Sequence, residues 1–190
     1  GQGDVSRDVA RIFGNLEWKP SSWLTGNLGL SGEDDSLAGP HFAPRLSVSF
    51  HLDQENTLRF GTSRAYRTGS TVDYKGDWYN GAKYQFRGDP NMPSERMDTV
   101  EIGYLGDWRD WRMSLDVRLF NEKVYNRLLV IDRDEGNNAI PDAMTAIQDV
   151  RMRGVEYQWR WQPFTPTRIV LSQMFIGIDA EFMPSALANT

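Results

Sequence analysis

FAPRLSVSFHL, residues 42–52, alternates almost without a break. Phe42, Pro44, Leu46, Val48, Phe50 and Leu52 share one parity, and Ala43, Arg45, Ser47, Ser49 and His51 share the other. A strand turns successive side chains to opposite faces, so this stretch reads as a strand with one oily and one wet face. Whether the oily face meets a protein core or lipid decides the fold.

The same period of two runs outward in both directions. It covers residues 10–19, 23–31, 57–67, 97–106, 111–128 and 153–162. Residues 168–182 are strand-like but apolar on both parities, so no faces are assigned to them. The spacing predicts an all-β, antiparallel up-and-down meander of about eight strands. Short turns are expected after Lys19, Leu52, Gly106 and Gln162, and long loops after Ser31, Arg67 and Ile131. Antiparallel neighbours joined this way gather short turns at one end and long loops at the other, the layout of an outer-membrane barrel. Several strands reach about ten residues, beyond the usual length in globular sheets. Trp18, Trp23, Tyr66, Tyr104, Trp108, Trp111, Trp159 and Trp161 fall near strand ends, as in an interfacial girdle. The polar parity carries Arg11, Glu17, Arg45, His51, Arg59, Glu101, Arg112, Asp116, Arg118, Glu156 and Arg160. That face is the outside of a soluble sandwich or the hydrated interior of a wide barrel, and periodicity alone leaves both open.

Composition narrows the classes. The chain has 190 residues, 39% of them hydrophobic, and a net charge of -5, which gives no general attraction for nucleic acid. It has no cysteine, so disulfides, zinc-thiolate sites and cysteine nucleophiles are excluded. No apolar run approaches the roughly 20 residues of a transmembrane helix, a test that β-barrels escape because their alternation averages out. The chain opens GQGDVSRD and ends SALANT, so residues 1–190 are expected to be a partial β-barrel domain without plug, signal peptide or terminal aromatic strand.

LRFGTSRAYRTGS (58–70) leads to a loop, and GDPNMPSERMDTVEIGYLGDWRDWRMSLDVRLFNEKVYNRL (88–128) follows. Ser63, Arg64, Ala65, Tyr66 and Arg67 fit a Ser-Arg/Gly-aromatic-Arg strand end. Asp89, Pro90, Asn91, Met92 and Glu95 align with an Asn-Pro-Asn-Leu-Lys-Pro-Glu motif, from which Pro93 and Ser94 depart. Glu101, Ile102, Gly103 and Tyr104 fit a Glu-x-Gly-aromatic strand. Leu119, Phe120, Asn121 and Val124 fit the next strand, and Arg153, Gly154, Val155 and Glu156 a Lys/Arg-Gly-x-Glu pattern. Together these resemble the carboxyl-terminal part of the barrel of a TonB-dependent outer-membrane receptor. The resemblance implies a segment, roughly a third, of a plugged transmembrane β-barrel of about 22 strands. It implies the bacterial outer membrane and no enzymatic activity. It further implies uptake of a scarce nutrient, most often a ferric siderophore or other iron chelate, energised through TonB. The implied partners are that chelate, TonB, a plug domain and the lipid bilayer, with no nucleic acid and no cofactor.

The loop segment DYKGDWYNGAKYQF (73–86) interleaves aromatics with Lys75, Lys83 and the following Arg87. Tyr74, Trp78, Tyr79, Tyr84 and Arg87 are the candidate substrate-binding residues, because stacking and charge suit a flat polar or anionic ligand. Packing of these aromatics against the loop itself is the plainer alternative. No catalytic or metal site is expected. His41 and His51 are too few and too scattered, IDRDEGNN (131–138) lacks the calcium loop's glycine position and later Glu, and RGDP (87–90) reads as a stiffened approach to a strand. The alternative fold is a soluble all-β ligand- or glycan-binding module. An all-β glycoside hydrolase lacks an identifiable carboxylate pair.

Overall fold

The computed structural model describes residues 5–80, 83–131 and 142–183. Eight strands form one antiparallel sheet: β1 (Val9–Ser21), β2 (Leu24–Asp35), β3 (Gly39–His51), β4 (Asn56–Arg67), β7 (Glu95–Trp108), β8 (Met113–Ile131), β9 (Ala143–Phe164) and β10 (Thr167–Phe182). Each pairs with the next in that order, so β4 pairs with β3 on one side and, across an excursion of the chain, with β7 on the other. Between them runs an excursion with α1 (Thr71–Lys75) and a small hairpin of β5 (Asp77–Asn80) and β6 (Lys83–Arg87).

Cross-strand partners share a face, so the register tests the alternation directly. One row runs Trp18, Gly26, Val48, Phe60, Ile102, Leu119, Val155, Phe175 across all the main strands. A neighbouring row of opposite parity runs Ser49, Arg59, Gly103, Arg118, Glu156, Met174. The quoted stretch therefore carries the oily and wet faces of an entire sheet. Register also assigns the faces of β10 that sequence left open: Leu171 and Phe175 oppose Trp159 and Val155 on the apolar side, while Ser172, Met174 and Ile176 oppose Gln158, Glu156 and Gly154 on the other. Side chains from β3 through β10 on the polar parity line a single groove of about 820 Å³, so the sheet curls with its charged face concave. The apolar face is convex and uncovered, with Leu16, Val100 and Phe175 each more than half exposed. No helix among the described residues is long and apolar enough to cross a membrane.

The turn end is compact. Asp53 closes the β3–β4 connection by accepting the backbone N–H groups of Glu55 and Asn56. β8 begins at Met113, two residues later than the alternation predicts. Arg109–Arg112 instead close a turn in which Arg112 takes φ 48° and accepts the Gln162 N–H on its carbonyl. Arg112 is thus a turn residue and not part of the charged strand face.

The loop end differs more from expectation. The predicted loop after Ser31 is mostly strand: β2 runs to Asp35 and β3 restarts at Gly39, leaving three residues between them. Gly39 takes φ +78°, the left-handed conformation a three-residue hairpin needs. β9 starts at Ala143, ten residues before its alternating stretch, and pairs there with the end of β8 beyond a bulge between Val124 and Arg127 where Asn126 has φ 56°. A compact core lies here, built on Tyr74, Met92 and Leu128 with Leu37, Ala38, Met144 and Ala146 packed around it.

Candidate functional site

The excursion between β4 and β7 begins with a capped turn of helix. Ser70 is the N-cap, and its hydroxyl and backbone N–H exchange hydrogen bonds with Asp73, the reciprocal pairing that satisfies two helix-end donors. Gly88 then packs against the backbone of Tyr74 and Lys75, and its N–H donates to the Gly76 carbonyl. A side chain at this position would collide with the backbone. The Arg87-Gly88-Asp89 tripeptide is therefore part of the hairpin's seat on α1, with the Asp89 carboxylate accepting the Asn91 N–H.

The excursion is tied to its neighbours at two places. Backbone bonds join Arg87 and Gln85 to Asp142 at the foot of β9. On the other side Arg7 donates to both carboxylate oxygens of Asp35, to Thr68 Oγ1 at 2.8 Å and to the Gly69 carbonyl at 2.9 Å. The Asp35 side chain has no solvent exposure and also accepts the Leu37 and Ala38 N–H groups. Hydrogen bonds from Arg7, followed by those two backbone donors, outweigh desolvation and hold the carboxyl down at about 2.

The candidate binding residues separate on this frame. Trp78 and Tyr79 are both more than half exposed, and Trp78 leans on Phe86 with ring centroids 5.8 Å apart. Arg87 is exposed and pairs in register with Asp77. Tyr84 opposes Tyr79 in the hairpin register; its side chain lies outside the described residues, as do residues 132–141. Tyr74 is in a different place, 1% exposed at the centre of the loop-end core. Thus the structure brings Trp78, Tyr79 and Arg87 together on one small hairpin and places Tyr74 apart from them, in the loop-end core.

The second feature is the concave groove. Arg118 donates to Glu101 at 2.6 Å, to Glu122 at 3.1 Å and to Glu156 at 3.4 Å, and its guanidinium lies 4.8 Å over the Phe120 ring. Arg59 donates to Asp116 at 2.6 Å. Phe120 lies over Gly154, where an added Cβ would stand 2.7 Å from its Cζ and 2.4 Å from the Phe175 carbonyl oxygen. Glu101, Gly103, Gly154 and Glu156, picked out as motif residues, thus serve the packing and ion pairing of the concave wall. The Arg7–Asp35 knot carried no signal in the sequence beyond an Asp beside a turn.

No curated protein matches the chain. A family described as TonB dependent receptor-like, beta-barrel matches residues 1–179. Among solved structures, the siderophore receptor PirA from Pseudomonas aeruginosa is 14% identical with a TM-score of 0.78, covering 93% of this chain and 33% of that one. The ferric enterobactin receptor PfeA from Pseudomonas aeruginosa is 15% identical with a TM-score of 0.75, over 90% of this chain and 27% of that one. The RagAB peptide importer is 11% identical with a TM-score of 0.69, over 92% of this chain and 22% of that one. At such identities the likeness concerns the fold, and this chain spans a third or less of each neighbour. These neighbours are receptors and importers, not enzymes. Residues 1–179, nearly the whole chain, match the family model, and the paired faces have the alternation a barrel wall requires: the chain belongs to the TonB-dependent receptor-like β-barrel family.

Proposed function

We propose that the chain is part of the wall of an outer-membrane receptor that imports a siderophore-type ferric chelate with energy delivered through TonB and a plug domain. One observation carries the reading: the convex apolar face is bounded at both ends as a lipid-spanning band would be. At the turn end, Trp108, Met113, Trp161 and Ile169 share a row, with the Trp159 and Trp161 rings 5.8 Å apart. At the loop end, Arg64, Asp98, Lys123, Arg151 and Asp179 share a row on the same face. From Asp98 to Trp108 is about 34 Å of strand, or about 24 Å along the membrane normal at a tilt of about 45°, close to the apolar height of outer-membrane barrels. A soluble module has no use for a convex apolar face of this extent.

In this reading the loop end is outermost, and Trp78, Tyr79 and Arg87 present stacking faces and a cation to the arriving chelate. The test is uptake of radioiron by cells whose only receptor for one ferric siderophore is the full-length protein. Trp78→Ala/Tyr79→Ala is expected to raise the half-saturating chelate concentration with the receptor's amount in the membrane unchanged. Unaltered binding in that variant would return the hairpin to a packing role.

A further inference from the structure

At the loop end the wall is unzipped along one seam. β3 begins at Gly39 and β4 runs on to Arg67, yet the ladder between them stops at Arg45 and Ser63. Beyond that pair the sheet divides into two leaves, β1–β3 on one side and β4 with β7–β10 on the other. The excursion that carries the Trp78–Tyr79–Arg87 hairpin hangs from the second leaf, between β4 and β7. Among the described residues, no backbone hydrogen bond joins it to the first leaf.

Side chains cross the seam instead. Leu37 and Ala38 rest against the core around Tyr74, and His41 Nε2 lies 2.7 Å from Ser94 Oγ. Apolar contact of the first kind holds groups close without fixing their orientation. Arg7 supplies direction. Its guanidinium grips Asp35 on the first leaf and donates across the seam to Thr68 Oγ1 and the Gly69 carbonyl. Gly69 immediately precedes Ser70, the N-cap of α1. α1 in turn seats the hairpin, through the Asp89 N–H on the Asp73 carbonyl and the Gly88 N–H on the Gly76 carbonyl. The first leaf has no need of the two contacts across the seam, because Asp8 and Ser36 already close its end with two hydrogen bonds of 3.0 Å.

We propose that Arg7 is a positioning residue for the chelate site: by bonding Thr68 and Gly69 across the unpaired seam, it sets the angle at which the hairpin is presented. Only a guanidinium has the geometry for this, with one edge for a carboxylate and N–H donors left over for two further oxygens. The inference rests on the reading of the hairpin as a chelate contact, and the experiment separates the two.

Because Arg7→Gln strands a buried charge, two gentler variants of the full-length receptor carry the test. Arg7→Lys keeps a cation for Asp35 but lacks the fork. Thr68→Val removes one acceptor and leaves Asp35 paired. Hydrogen exchange at the Leu37 and Ala38 amides is expected to match the parent in both, which shows the first leaf intact. Spin labels at positions 34 and 79, read without substrate, are expected to give one narrow distance in the parent and a broadened one in Arg7→Lys. In radioiron uptake, Arg7→Lys is expected to raise the half-saturating chelate concentration about fivefold and Thr68→Val about twofold, with the maximal rate per receptor unchanged. In a Trp78→Ala/Tyr79→Ala background Arg7→Lys is expected to add nothing further. A parental distance and parental half-saturation in Arg7→Lys would overturn the proposal, as would a full fivefold effect in the background lacking both aromatics. A Trp78→Ala/Tyr79→Ala receptor with parental uptake sinks the chelate reading of the hairpin, and the substrate-free distance then decides on Arg7 alone.

Discussion

At the tip of the β2–β3 hairpin, Asp35 has surrendered all contact with water in exchange for Arg7 and two backbone N–H groups. Its folded pKa of about 2 lies below the ordinary 3.8, so the unfolded chain takes up the proton more readily. The sign follows: the stabilisation is whole above about pH 4 and is lost as pH falls through about 2. Its upper bound is roughly 2 kcal/mol. Hydrogen exchange at the Leu37 and Ala38 amides is expected to accelerate across that window, and Asp35→Asn to abolish the pH dependence while exchanging fast throughout. Such a knot is invisible in the sequence because its partners are 28 residues apart and neither lies in a repeating pattern. Tyr74 was illegible for a related reason. An aromatic among cations reads as a ligand contact until Met92 and Leu128 are seen to enclose it.

At the scale of the strand, legibility tracks what lies on each side. Where one face is oily and the other wet, as in β3, alternation is imposed and was read directly. Beyond the apolar band it is not imposed, and Leu128, Leu129, Val130 and Ile131 run apolar in succession within β8. Leu128 is buried in the loop-end core while Val130 is exposed. That is why the outer part of β9, and the short β5 and β6, read as loops. Within the band, a slip of one residue would turn Arg118, Glu101 and Glu156 onto the oily side, so register is strongly fixed. Val48→Arg in the full-length barrel is expected to cost about 2 to 4 kcal/mol near the bilayer midplane, and Ser49→Arg much less. Spin labels at the same two positions supply the check: apolar relaxants should reach 48, and aqueous ones 49.

For the whole sheet, the decisive fact is that it does not close. β1 and β10 stand at opposite edges, each with one neighbour. Unpaired N–H and C=O groups in hydrocarbon cost several kcal/mol each, so this wall spans a bilayer only with further strands on both flanks. Residues 1–190 prepared alone in water are expected to associate through those edges and the convex face. Light scattering measures this directly, with dispersal by detergent as the expected counterpart. A stable monomer in water would show that neither surface is as adhesive as its chemistry implies.

The concave groove has a further consequence, which concerns its field and not its contacts. Arg45, Arg59 and Arg118 line it, and so do Glu101, Asp116 and Glu156. Equal numbers of opposite charges within a few ångströms cancel at a distance, so the groove projects little potential beyond itself. A solute of either sign placed in the groove would meet near-neutral ground. Its binding there should then be almost indifferent to ionic strength, since a Debye length of about 8 Å screens only fields that were present to begin with.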